Sequence, residues 1–264
     1  MTHSLTDIGA NLAHDSFDED REAVLQRAAD AGVDRIIVTG SSRQSNADAA
    51  ALAAAHPGHL YATAGVHPHH ASDYDAATDA QIRTLSQEAG VVAVGECGLD
   101  YFRNFSPRDA QIDAFRAQLD IAIDTGLPVF LHQRDAHDDF VESLEPALPK
   151  LSRAVAHCFT GEHESLREYL AMGLWIGITG WICDERRGAH LKDIVGSVPD
   201  DRLLIETDAP YLLPRTITPK PKTRRNEPAY LPEVVRVIAK ARGQSTEHVA
   251  RVTHANATEF FNLD

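Results

Sequence analysis

Eight short apolar or β-branched runs alternate with segments of helical periodicity along the whole chain, and this alternation limits the fold more than any other feature. The runs are Leu5–Ile8, Arg35–Thr39, Leu60–Val66, Val91–Gly95, Pro128–Leu131, Ala154–Ala156, Leu174–Ile178 and Leu203–Ile205. Between them, apolar residues recur near every 3.6 positions in Ala23–Ala31, Ala47–His56, Ala110–Thr125 and Glu164–Ala171. Ser106 is suited to cap the long segment, Pro107 to its first helical position and Asp109 to its first turn. Gly32, Gly90, Gly126 and Gly173 stand where helices should stop before the next strand. The pattern predicts an α/β fold, a closed (β/α)8 TIM barrel in one domain over residues 1–264. A doubly wound open sheet is the competing arrangement. It lacks support because no G-x-G-x-x-G follows the first strand and polar residues recur after strand upon strand. Pro210–Pro232 reads as a long proline-rich insertion after the eighth strand, and Leu231–Leu263 as helix that closes the fold.

Composition narrows the setting. A chain of 264 residues, 43% hydrophobic and 24% charged, can bury a core without disulfides. No apolar run reaches the roughly 18 residues that span a bilayer, and Met1 to Asn11 shows no signal-peptide pattern. Cys97, Cys158 and Cys183 are three in number without CxxC spacing, as expected of reduced thiols in a cytoplasmic protein. The formal net charge of −14 argues against passive adsorption to nucleic acid. It leaves room for a nucleic-acid enzyme with a local basic patch and a bound cation.

Barrel enzymes place their chemistry just past the strand ends. Here those positions hold Asp7 and Asn11, then His67-Pro68-His69-His70, Glu96 to Asp100, His132 with Arg134 and Asp135, His157, and Glu206-Thr207-Asp208. A lone histidine or carboxylate at such a place is usually a hydrogen-bonded structural group. Glu96, His132, His157 and Asp208 at four strand tips would together crowd polar groups with no partner, and a divalent cation resolves that.

The strings D-I-G-A-N-L, A-G-V-H-P-H, G-E-C-G-L-D, H-x-R-D-A, H-C-F-T-G, G-I-T-G-W-x-C-D-E-R-R-G and L-L-I-E-T-D-A-P-Y-L-L-P-R, with R-R-N-E-P at Arg224–Pro228, occur in order over essentially the whole chain. Together they closely resemble the TatD family of metal-dependent deoxyribonucleases. The resemblance implies a barrel of the amidohydrolase-like, metal-dependent hydrolase type. It implies that Glu96, His132 and His157 hold one metal, that Asp208 binds metal and handles the attacking water, and that His67 and Glu206 are catalytic polar residues of the active-site rim. Protonated His67 is the expected donor to a phosphate oxygen or leaving group. Most of the family has H-x-H after the first strand, where this chain has Gly9 and Asn11, so one firm metal site is expected and a second is in doubt. The family's namesake subgroup shares that replacement. Mg2+ is the favoured ion, with Mn2+ and Zn2+ as alternatives.

Substrate grip must come from local positive charge. Between Arg215 and Arg225, after the eighth strand, stand five basic residues, Arg215, Lys220, Lys222, Arg224 and Arg225, and no acid; Arg186 and Arg187 lie in a loop beside Trp181, and Arg134 lies two residues beyond His132. Of these, Arg134, Arg186, Arg187, Lys220, Lys222, Arg224 and Arg225 are the expected phosphate contacts. Trp181, Phe159, Tyr101 and Tyr211 are suited to stack bases or to pack internally. With the resemblance, the reading is a 3′→5′ exonuclease on single-stranded DNA, with RNA as a further substrate, serving DNA repair or nucleic-acid turnover. No obligate protein partner and no membrane are expected. One rival is an amidohydrolase-type enzyme acting on a lactone or cyclic amide; Glu96, where such enzymes would use a carboxylated lysine, weighs against it. The other is a binding protein on a degenerate barrel, against which the intact Glu96, His132, His157 and Asp208 count.

Overall fold

A computed structural model describes residues 4–263; Met1 to His3 and Asp264, the ends of the expected domain, lie outside the described residues. Eight strands form one parallel sheet in sequence order: β1 (Leu5–Ala10), β2 (Val33–Val38), β3 (Leu60–Ala64), β4 (Val91–Asp100), β5 (Val129–Arg134), β6 (Ala154–Ala156), β7 (Trp175–Ile178) and β8 (Leu203–Ile205). The ring closes just beyond β8. There Ala209 bridges Ala10 in parallel, Asp208 N–H donates to Gly9 O at 2.8 Å, and Asn11 N–H donates to Ala209 O at 2.7 Å.

Helices α1 (Arg21–Asp30), α2 (Arg43–Ala55), α3 (Ala76–Leu85), α4 (Arg108–Thr125), α5 (His137–Leu144), α6 (His163–Ala171), α7 (Ala189–Ile194), α8 (Leu231–Arg242) and α9 (Thr246–Phe261) complete the chain. No helix among the described residues is long and apolar enough to cross a membrane.

The alternation of side chains along each strand divides the core in two. Val129 and Leu131 belong to the layer between sheet and helices, while Phe130 between them joins Ile8, Ile37, Tyr61, Val155, Trp175 and Leu204 in a second cluster. Phe260, Phe261 and Leu263, from the end of α9 and just beyond, pack into that second cluster. The strand positions that follow on the same face carry the polar groups, so the apolar filling of the barrel becomes the floor of a site.

Local details depart from the sequence reading in three places. Ser106 does not cap α4: its hydroxyl donates to His69 O at 3.0 Å and accepts from Ser72 N–H at 3.1 Å, leaving Pro107 at the cap. Gly90 has no left-handed backbone, unlike Gly32, Gly126 and Gly173, because α3 has already ended at Leu85. The proline-rich insertion, finally, is clasped to the barrel where it returns. Arg225 pairs with Asp20 (2.8 and 2.7 Å), Glu227 with Arg27 (2.9 and 2.6 Å), and Asn226 Nδ2 donates to Thr207 O at 3.0 Å.

Candidate active site and metal centre

β4 runs five residues past its expected end at Gly95 and carries most of the site. Gly95 pairs with Phe130 and Cys97 with Leu131, so Glu96 falls at a bulge between them, a device that re-aims a side chain. Its N–H leaves the ladder and donates to Gly40 O at 2.8 Å. Gly98, with φ at +140°, brings the backbone so close to β5 that a Cβ would overlap the carbonyl of His132. Only glycine permits this approach, which sets Glu96 and Asp100 beside the His132 ring.

Three imidazoles converge on one oxygen. His157 Nε2 lies 2.8 Å, His132 Nδ1 3.0 Å and His67 Nε2 3.4 Å from Glu96 Oε1. Burial alone would keep the Glu96 carboxyl protonated, but the charge of His157 and the hydrogen bonds from His132 and His157 outweigh it and hold its pKa well below the usual range. His157 itself sits between Glu96 and Glu206, and those two carboxylates lift its pKa well above normal against the opposing effect of burial. His132 is raised too, with burial opposed by Asp100 and Glu96.

His67 behaves oppositely, against the expectation of a protonated ring. Burial takes its pKa well below normal, and its Nδ1 accepts the His69 N–H at 3.0 Å. Its Nε2 is the nitrogen on the Glu96 side.

The four expected ligands share one cavity of about 1000 Å³, whose lining includes His67, Glu96, His132, His157 and Asp208. Within it, the ligand atoms of His67, Glu96 and His132 lie within 4.8 Å of one another, a trio able to hold a divalent ion. His157 and Asp208 stand outside that separation, whereas His67, read from the sequence as a rim residue, lies inside it. The trio also fits a cation chemically: His132 Nε2 is a buried nitrogen without a hydrogen-bond partner among the described residues. It lies 3.4 Å from Asp100 Oδ2.

Asp208 lines the same cavity, its pKa pushed up to about 7 by burial and by Glu96, with His157 opposing. Asn11 Nδ2 donates to its Oδ1 at 3.2 Å, while Oδ2 has no hydrogen bond among the described residues. Gly9 stands where the family has its first histidine, and a Cβ there would lie 2.5 Å from Glu206 Oε2 and 3.0 Å from Phe130.

Glu206 is not on the rim. It is wholly buried beneath the site, where Oε2 accepts from His157 Nδ1 (3.1 Å) and Oε1 from Cys158 N–H (2.6 Å). Between it and Asp208, Thr207 is pinned by Asp7, which accepts from the Thr207 N–H at 2.9 Å and from its hydroxyl.

The basic residues divide. Arg134 and Arg187 line the cavity, whereas Arg186, Lys220, Lys222 and Arg224 are exposed outside its lining. Arg225 is a fold clasp, both terminal nitrogens being held by Asp20, and this moves it out of the substrate-contact set. Among the aromatics, Trp181 and Tyr211 line the cavity; Phe159 is buried, and the Tyr101 hydroxyl donates to Asp139 at 2.6 Å.

Sequence reasoning placed His69 and Asp100 at strand ends without giving them a role, and missed Phe102 and Arg103 as members of this cavity. Asp100 accepts from His69 Nε2 at 2.9 Å and from Arg103 N–H at 2.7 Å. Burial would raise its pKa, but the nearby His132 ring and the hydrogen bonds from His69 and Arg103 hold it far below the carboxylate range. The signal was the two-residue spacing Glu96, Gly98, Asp100, which continues one strand face where the glycines look like a stop.

Comparison with known proteins decides the family: the model of the TatD related DNases matches residues 6–262. The chain belongs to the TatD-related DNase family. A protein named 3′-5′ ssDNA/RNA exonuclease TatD from Erwinia billingiae (strain Eb661) is 51% identical to this TatD-family chain over 257 residues, covering 97% of this chain and 98% of the relative. The protein of the same name from Pantoea sp. (strain At-9b) is 52% identical, with 97% and 99% covered. Among solved structures, the TatD homologue YJJV of Escherichia coli k12 superposes with a TM-score of 0.90 at 31% identity, covering all (100%) of both chains. Dihydroorotase from Campylobacter jejuni, at 14% identity, TM-score 0.61 and 99% and 84% coverage, shares the fold alone.

Proposed function

We propose that this TatD-family nuclease removes nucleotides from the 3′ end of single-stranded DNA, and of RNA, by hydrolysing phosphodiester bonds with a divalent metal. The observation that carries the reading is the meeting of His132 and His157 on one oxygen of Glu96, 3.0 and 2.8 Å away, in a cavity that also holds Asp208 and His67. Polarity and substrate follow the names of the relatives, which cover nearly the whole of both chains.

Glu96, His132, His157 and Asp208 are the residues we assign to a single firmly held ion. Such an ion, when bound, would neutralise phosphoryl charge and lower the pKa of a water molecule. Gly9 and Asn11 support no firmly protein-held second ion, since glycine has no side-chain ligand atom and asparagine offers only a neutral carbonyl oxygen. Mg2+ is favoured for its carboxylate-rich surroundings, with Mn2+ and Zn2+ as the other fits for two imidazoles.

Asp208 is the acceptor for the proton of the attacking water, because Asn11 fixes one carboxylate oxygen and leaves the other open. His67 offers its Nε2–H to a phosphate oxygen or to the leaving oxygen. Arg134 and Arg187 on the cavity wall meet the flanking phosphates. Glu206 holds the His157 ring from beneath. The family match over 6–262 supports a single barrel domain. Three free cysteines support a reducing, cytoplasmic setting, and repair or turnover of nucleic acid is the role we infer from the chemistry.

The test is hydrolysis of oligonucleotides labelled at either end, with Mg2+, Mn2+ or Zn2+ and with EDTA. The 5′-labelled strand should shorten stepwise from its 3′ end, EDTA should stop it, and Glu96→Gln should abolish turnover in a folded protein. Loss from the 5′ end, purely internal cuts, or near-native activity of Glu96→Gln would overturn the assignment.

A further inference from the structure

Among the described residues the exposed large hydrophobic side chains are Phe102, Phe105 and Tyr211, and all three crowd the mouth of the catalytic cavity. Phe102 and Tyr211 line it, and Phe105 packs 4.7 Å from the ring of His69, which lines it too. Exposed aromatics confined to one rim of an otherwise well-covered protein mark a contact surface.

They are interleaved with positive charge. Arg103 and Arg134 lie 5.5 and 5.1 Å from the Phe102 ring centre, Arg134 lies 5.6 Å and Arg187 4.6 Å from that of Trp181. The order Arg103, Phe102, Arg134, Trp181, Arg187 makes an alternating ladder of guanidinium and ring along one wall, drawn from the loops after β4 and β7 and from the last residue of β5. Phe102 keeps 58% of its surface in solvent despite its two arginines, so it retains a face to offer.

A neighbouring cavity of about 600 Å³ shares Arg134 and His157 with the site, but in its lining the carboxylates Asp135, Asp138, Asp139 and Glu162 outnumber Arg108 and Arg134. Those carboxylates repel a phosphate backbone and leave the ladder as its path. A ring flanked by guanidiniums stacks on a base while the charges take the adjoining phosphates. Bases inside a duplex have their faces covered by neighbouring pairs; unpaired bases do not.

We propose that Phe102, with the Arg134–Trp181 rungs beside it, is the specificity-determining platform that stacks an unpaired base next to the scissile phosphate, making the enzyme demand a single-stranded DNA end. This rests on the nuclease reading above and names its discriminating residues.

Of the two tryptophans in the chain, Trp175 is buried in the barrel and Trp181 lines the cavity, which supplies a binding signal that needs no turnover. In EDTA, a single-stranded oligothymidylate should quench the fluorescence of Trp181, a blunt duplex should not, and Trp181→Phe should remove the response. Phe102→Ala should weaken single-strand binding about tenfold and raise KM by a similar factor with kcat within about twofold. Phe102→Tyr should restore both, and an oligonucleotide abasic at its 3′ end should not distinguish Phe102→Ala from wild type. Equal affinity and KM in Phe102→Ala, or equal quenching by duplex, overturns the platform. Wild-type protein that cleaves no phosphodiester with any of the three ions overturns the nuclease reading instead, while the fluorescence arm still decides the platform.

Discussion

Glu206 Oε2 stands 3.1 Å from His157 Nδ1, and this contact decides which nitrogen of the ring faces the catalytic cavity, since Nε2 then lies 2.8 Å from Glu96. A carboxylate behind a ligand histidine fixes the ring and strengthens it as a donor. Glu206→Gln should therefore weaken divalent-ion binding about 10- to 100-fold with little change in circular dichroism. Isothermal titration with Mn2+ checks this, and unchanged affinity would remove the positioning role.

Asp7 ties β1 to the turn that carries Asp208. It is wholly buried, and burial pushes its pKa up to about 8 against the hydrogen bonds it accepts from Thr207 and Gly9. Asp7→Ala leaves the Thr207 N–H and hydroxyl unpaired in the core, which should cost about 2–4 kcal/mol. Urea unfolding measures the loss, and a change below about 0.5 kcal/mol would show that the clasp is dispensable.

The Asp20–Arg225 pair makes stability depend on pH. Hydrogen bonding from Arg225, against a small burial effect and with help from Arg27, takes the Asp20 pKa from 3.8 down to about 2. A folded pKa below the unfolded one contributes stability that is fully present above the unfolded value of 3.8 and is lost as pH falls through about 2. Asp20→Asn should lower Tm at neutral pH, and its deficit relative to wild type should shrink between pH about 4 and 2. A constant deficit across that range would mean that the charge contributes nothing.

Lys220, Lys222 and Arg224 are exposed on the insertion and form no ion pair among the described residues. If the strand crosses them, replacing all three by alanine raises KM at low salt and flattens the dependence of log KM on log salt by about 0.7 for each phosphate that is no longer neutralised. Thermal stability should not change. An unaltered slope would identify the segment as a solvated loop.

Arg225 shows why some expectations from sequence misplace a residue. It belongs to a run of basic residues, and nothing nearby in the chain reveals its partner, because Asp20 lies 205 positions away. The R-R-N-E-P segment that marks the family turns out to be a clasp in which Arg225 and Glu227 bind Asp20 and Arg27 of the α1 region and Asn226 binds Thr207 beyond β8. Asp100 was hidden differently. Gly95 and Gly98 resemble strand breakers, yet they are what lets β4 continue against β5.

Periodicity and strand-end chemistry established the barrel and the presence of Glu96, His132, His157 and Asp208 at its tips, and the family resemblance marked Gly9 and Asn11 as lacking the histidine pair. Those features are local, since hydropathy and residue type follow the chain. Only the tertiary structure decided that Glu206 lies beneath the site, that His67 stands among the closest ligand atoms, and that Phe102 joins Arg134 and Trp181 at the mouth. Such relations depend on a bulge, on glycine-allowed close approach and on loops from different strands, whose geometry is set by packing between residues that sequence order keeps apart.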